Sequence, residues 1–84
     1  MNMKTTTLAY LKPGDTGIIA ALHTTEEQLY RRLVAIGFRA GKRIEMIRSA
    51  LAQGPLHVRI GTTEIMLRRA DAQNIEIALS EAVI

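Results

Sequence analysis

The side chains best equipped for chemistry in this sequence are two histidines, His23 and His57, eight carboxylates, and a run of arginines between residues 31 and 69. Imidazole beside carboxylate is the pairing that both metal ligation and general acid–base catalysis use. His23 and Glu27 stand four residues apart, a spacing that shares a face on a helix. His23 precedes the helix predicted below, however, so that face is not assured. A tight Fe²⁺ or Zn²⁺ site takes three or four converging N, O or S ligands, and two distant histidines without any Cys do not supply one. His23, Glu27 and His57 are therefore weak ligands for a divalent cation at best, and no cofactor is expected. The chain has no Cys nucleophile, no Gly-rich phosphate loop and no Ser in a strained elbow motif. A non-enzymatic role is expected.

Charge says more. The net charge is +3, but residues 31–69 carry nine Arg or Lys against Glu45 and Glu64, a balance of +7. The pairs Arg31-Arg32 and Arg68-Arg69 stand out. As plain surface residues they would be solvated, some pairing with Glu27 or Glu45. As a functional face they would suit an acidic partner protein, a phosphate backbone or an anionic membrane. Small barrels that bind single-stranded nucleic acid need exposed aromatic platforms. Only Tyr10, Tyr30 and Phe38 are available and they are not grouped, which leaves a nucleic-acid binder or a regulator domain as the alternative reading.

These groups must be positioned by one small domain. A chain of 84 residues buries only about 60–65% of its unfolded surface, so most apolar side chains are committed to a single core spanning residues 1–84. The 48% hydrophobic content with 23% charge is that of a folded protein. Without Cys, stability must come from packing, and a cytoplasmic location fits. The longest apolar run, residues 18–22, is far too short to span a bilayer. The Lys12-Pro13-Gly14-Asp15 break argues against an export signal.

Residues 1–7 read as a loose start or a strand edge, and Pro13-Gly14-Asp15 as a tight turn. Residues 16–22 predict a strand, its 18–22 portion covered on both sides. Thr24 followed by Glu27 reads as a capping box opening a helix over 26–36. Leu29, Leu33 and Ile36 make its inner stripe, Arg31 and Arg32 face elsewhere, and Gly37 terminates it in a left-handed conformation. Strands follow at 42–49, 56–60, 64–68 and 74–79, with turns at Gln53-Gly54-Pro55 and Gly61-Thr62-Thr63 and one helical turn at 70–73. Residues 80–84 have no assignment. The sum is a mainly β fold, a small SH3-like barrel of five to six strands with one helix inserted after the second strand. An OB-fold would place that helix later.

Four segments carry a family resemblance when taken in order: Leu11-Lys12-Pro13-Gly14-Asp15-Thr16-Gly17, Arg32-Leu33-Val34-Ala35-Ile36-Gly37-Phe38, residues 54–61, and residues 64–72. In these the chain resembles the FeoA family, small cytoplasmic companions of the bacterial ferrous-iron transporter FeoB. It is also similar to the SH3-like C-terminal domain of iron-dependent repressors of the DtxR type. Two departures fall in turns, Ala40 where the family has Pro and Leu51 where it has Pro. The resemblance implies a partner, FeoB, met at its cytosolic GTP-binding domain or at its membrane-proximal surface, which the family is thought to modulate and which would hold the chain at the periphery of the inner membrane. It also implies contacts on the helix, at Leu33, and at its Gly37-Phe38 exit; with the neighbouring Gly54-Pro55 turn and the charge pairs Arg31-Arg32 and Arg68-Arg69 these make the expected interface. Helical spacing alone reads Leu33 as core, so exposure there would make it an anchor residue.

Overall fold

A computed structural model of the chain describes residues 4–50 and 54–79. Six strands, β1 (Lys4–Thr7), β2 (Thr16–Leu22), β3 (Arg43–Ser49), β4 (Leu56–Ile60), β5 (Thr63–Leu67) and β6 (Ile75–Leu79), form one antiparallel sheet in the order β1-β6-β2-β3-β4-β5. Helix α1 (Glu27–Ala35) lies between β2 and β3, and the short α2 (Arg69–Ala72) between β5 and β6. This is the mainly β, SH3-like barrel expected, with the long helix after the second strand. The last strand inserts between the first two, so the sheet is incomplete until nearly the whole chain is in place.

The strands form because apolar and polar residues alternate along them. In β4, Leu56, Val58 and Ile60 are buried while His57 and Arg59 lie half-buried on the outer side. The expectation that residues 18–22 are covered on both faces is overturned: Gly17 and Ile19 are buried, Ile18 and Ala20 exposed. Five apolar residues in a row concealed an ordinary one-sided strand. The turn before β2 follows the expected chemistry. The Lys12 amide donates to Asp15 Oδ2 at 2.8 Å, and Gly14 takes a φ of +92°. Backbone bonds from Gly14 N to Met46 O (2.8 Å) and Met46 N to Asp15 O (2.9 Å) stitch that turn to β3. The hairpin between β4 and β5 closes through Gly61 and Thr62, Ile60 pairing with Thr63 and Gly61 at φ +62°. The fifth strand therefore starts one residue earlier than predicted.

The start of α1 departs from expectation, and its end keeps the expected Gly37 terminator but buries a different apolar residue. Glu26 is the N-cap and has no side-chain cap; Thr24 Oγ1 instead accepts from the Glu26 amide at 3.2 Å, so the capping box does not form. Thr satisfies a neighbouring amide in a local turn and leaves the helix to start one residue on. At the C-terminus Phe38 N donates to Leu33 O (2.8 Å) and Gly37 N to Val34 O (3.1 Å), with Gly37 at φ +115°. These two bonds constitute a Schellman motif, whose usual companion is an apolar contact between the two outer residues of the 6→1 bond. Leu33 and Phe38 are those residues, and both are buried, Phe38 completely. The motif substitutes Phe38 for Ile36 in the core. Ile36, predicted inward, is 39% exposed.

The core joins Leu8, Ile19, Leu33, Phe38, Ile44, Met46, Leu56, Val58, Ile75 and Ile77, with Leu29 and Leu67 near its rim. Ile75 and Ile77 are buried and Leu79 packs at the edge, as the alternation of residues 74–79 predicts. The expectations for residues 1–3 and for residues 51–53, which include Leu51 and Gln53, lie outside the described residues, as do residues 80–84.

Candidate protein interface

Helix α2 organises the basic residues at the end of β5. Its single turn is closed by amides of Asp71 and Ala72 donating to Arg68 O at 3.0 and 3.1 Å. The Asp71 carboxylate is buried and takes two bonds from Arg68, Nε at 3.1 Å and Nη2 at 3.4 Å. A buried carboxylate needs such a partner, and here the partner's own side chain stays 76% exposed. Arg68 is thereby held upright on the surface.

Arg69 is different. Its Nη1 donates to Ala9 O (3.3 Å) and its Nη2 to Ser49 Oγ (3.1 Å) and Ala50 O (3.4 Å), while Nε is buried without a partner. It ties three segments together rather than projecting a charge. Gly54, Pro55, Arg68, Arg69, Ala70 and Gln73 line a groove of about 430 Å³. A second groove of about 260 Å³, lined by Glu26, Gln28, Leu29, Arg32 and Arg68, adjoins it through Arg68. A third cleft of about 370 Å³ lies on the other flank of α1, between Leu22, Tyr30, Val34, Phe38 and Arg39.

The fold thus brings together Gly54, Pro55, Arg68 and Arg69, and through Arg68 it adds Arg32. It does not gather Gly37 and Phe38 with them. Leu33 and Phe38 are core, so neither offers a surface for direct contact, and Gly37 acts by the turn it permits. Arg31 is exposed and paired with Glu27 at 2.8 Å, while Arg32 has no ion pair among the described residues. Ala70, Gln73 and Gln28 were not legible as lining residues, because they converge only through the pairing of distant strands.

Among the described residues neither histidine meets a second carboxylate. His23 Nε2 lies 2.6 Å from Glu76 Oε1, and His57 Nε2 lies 2.7 Å from Glu64 Oε1. Glu27, the sequence-level companion of His23, is bonded to Arg31 instead. Among the described residues no three His, Cys, Asp or Glu side chains converge as metal ligands. Glu64 belongs to a cross-strand charge ladder, its other oxygen 2.9 Å from Arg59 Nη2, with Glu45 3.6 Å from Arg59 Nη1. Hydrogen bonding from Arg59, then from His57, holds the Glu64 carboxyl below its ordinary 4.5, and the bond to Glu64 raises Arg59. A depressed carboxyl pKa stabilises the fold above its unfolded value, and that stabilisation is lost as pH falls through the folded value. E64Q is therefore expected to be less stable than the parent at pH 7, the gap closing as pH drops below 4.5. Denaturant midpoints of both proteins from pH 7 to pH 3 check it; a gap independent of pH would deny the ladder.

The FeoA domain profile matches residues 6–79. The chain is 36% identical over 73 residues to Fe(2+) transport protein A of Campylobacter jejuni, covering 87% of this chain and 97% of that one. Its fold matches a zinc complex of FeoA from Stenotrophomonas maltophilia, described as a prokaryotic SH3 domain protein, at a TM-score of 0.75 and 24% identity over 86% of this chain and 88% of that one. It also matches a manganese-dependent transcriptional repressor at a TM-score of 0.85 and 22% identity, over 95% of this chain and 44% of the repressor. A profile that spans β1 to β6, a relative matched over nearly its whole length and the SH3-like barrel agree: this chain belongs to the FeoA family of ferrous-iron transport proteins.

Proposed function

We propose that the chain is a non-enzymatic cytoplasmic accessory of ferrous-iron uptake that docks on the cytosolic GTP-binding domain of a FeoB transporter and modulates it. The observation that supports this reading is the pair of grooves meeting at Arg68. The first offers apolar surface at Pro55 and Ala70, and the second is mostly polar, with the exposed cations Arg32 and Arg68 beside Glu26. Rim charge of this kind speeds encounter and selects orientation, and apolar contact then slows release. The pairing of other cations within the fold narrows the choice, since Arg31, Arg59 and Arg69 are engaged internally.

The test is a titration of the chain with that GTP-binding domain, followed by backbone amide shifts. Shifts are expected at Gly54, Pro55-adjacent amides, Arg68, Ala70 and Gln73. R32E should weaken binding several-fold, with most of the change in the association rate. Binding unchanged by R32E removes this interface, and absence of binding by the parent removes FeoB as the partner.

A further inference from the structure

The connector between α1 and β3 carries a group of cations that neither the core nor the grooves employ. From Ile36 to Ile44 the sequence has Arg39, Lys42 and Arg43 and no acid. All three side chains are exposed, and among the described residues Lys42 and Arg43 make no ion pair. Arg39 spends only its Nε, on Val34 O at 3.3 Å. Glu45, the next acid along β3, is engaged by Arg59.

This segment is held in place rather than loose. Gly41 N donates to Ile19 O and Ile19 N to Lys42 O, both at 2.8 Å, so the connector is laced to β2. Arg43 pairs across the sheet with Ile18, which is exposed, and the two line a shallow depression with Thr16 and Gly17. At its other end Arg39 shares the third cleft with Tyr30, which is 47% exposed. The result is an ordered strip of unneutralised positive charge with an exposed aliphatic residue at one end and a tyrosine at the other.

We propose that this strip, Arg39, Lys42 and Arg43 flanked by Ile18 and Tyr30, rests on the surface of an anionic lipid bilayer. Basic side chains near such a surface are attracted by its negative potential, and this attraction falls off within a Debye length. An aliphatic side chain and a tyrosine add burial at the headgroup boundary, where amphipathic rings are favoured. A nucleic acid would use the charge, but it gives Ile18 nothing to pack on and finds one aromatic where stacking needs a series. No helix among the described residues is long and apolar enough to cross a membrane, so the contact is with the surface. This proposal does not rest on the FeoB reading.

The experiment is co-sedimentation of the full chain with vesicles of phosphatidylcholine containing phosphatidylglycerol, and with phosphatidylcholine alone, at low and at physiological salt. Sedimentation should require the anionic lipid and weaken with salt. K42Q/R43Q should lower the apparent affinity about thirtyfold, the loss expected when two cations leave an anionic surface. I18S should lower it several-fold in a manner that salt does not erase, while R31Q, which removes an exposed cation of α1 outside the strip, should leave it nearly unchanged. Amide spectra of each variant establish that the fold is intact. The proposal is overturned by absence of sedimentation, by equal sedimentation with neutral vesicles, or by an R31Q loss equal to that of K42Q/R43Q. Displacement from vesicles by duplex DNA at matched phosphate concentration would overturn it in favour of a nucleic-acid surface.

Discussion

Gly17→Val is expected to unfold the domain at room temperature, and Gly17→Ala to cost about 1–3 kcal/mol, the usual range for an extra group forced into a packed core. Gly17 sits in β2 paired with Ile44, and it is buried. A Cβ there would fall well inside contact with Ile77 Cγ2 and 3.1 Å from the Ala78 carbonyl oxygen. Ile77 has no exposed surface and is β-branched, so its rotamer has little freedom to yield. The carbonyl belongs to β6, the strand that locks β1 to β2, and moving it disrupts the junction that holds β1 and β6 to the rest of the sheet. Urea denaturation of the Ala variant measures the effect. A loss below about 0.5 kcal/mol would mean that β2 and β6 separate more easily than their packing indicates. The requirement here is space, not backbone conformation, which distinguishes Gly17 from Gly37.

Phe38→Ala is expected to cost about 3–5 kcal/mol, the typical range for deleting a buried aromatic ring. The total stability of a domain is about 5–15 kcal/mol, so such a loss leaves this small one marginal. Phe38 is completely buried and follows the left-handed Gly37, which turns the chain so that the ring enters the barrel beside Leu33. Removing the ring empties a volume bounded by the helix end and the strands, and it also weakens the Schellman turn that stops the helix. Phe38→Leu should recover part of the loss while keeping the helix terminus intact. Thermal unfolding of both variants decides the matter. If Phe38→Ala kept full stability and lost only partner binding, the ring would belong to an interface after all.

Those two positions show what one-dimensional reading reached. The Gly37 terminator was legible because a glycine after an amphipathic stripe is a local signal, and the observed φ of +115° agrees. Ile36 and Phe38 were exchanged, since the periodicity of a helix does not tell where the last turn stops obeying it. Thr24 and Glu27 had the right spacing for a capping box, yet Thr24 found a closer amide at Glu26. The candidate interface was legible as residue types but not as a surface. Arg68 and Arg69 are neighbours in sequence, and only the buried Asp71 on one side and Ala9, Ser49 and Ala50 on the other make the first a surface cation and the second a brace.

Local information in the sequence was sufficient for the strand alternation, the turns at Gly14 and Gly61, the place of the helix between the second and third strands and the concentration of charge in residues 31–69, because each depends on neighbours a few residues apart. Tertiary structure alone decided that β6 lies between β1 and β2, that Gly17 has no room for a side chain, and which arginines reach solvent. Those outcomes depend on contacts between residues sixty or so apart, such as Gly17 with Ile77 and Arg69 with Ala9, and the free energy of such contacts exists only once the whole sheet has formed.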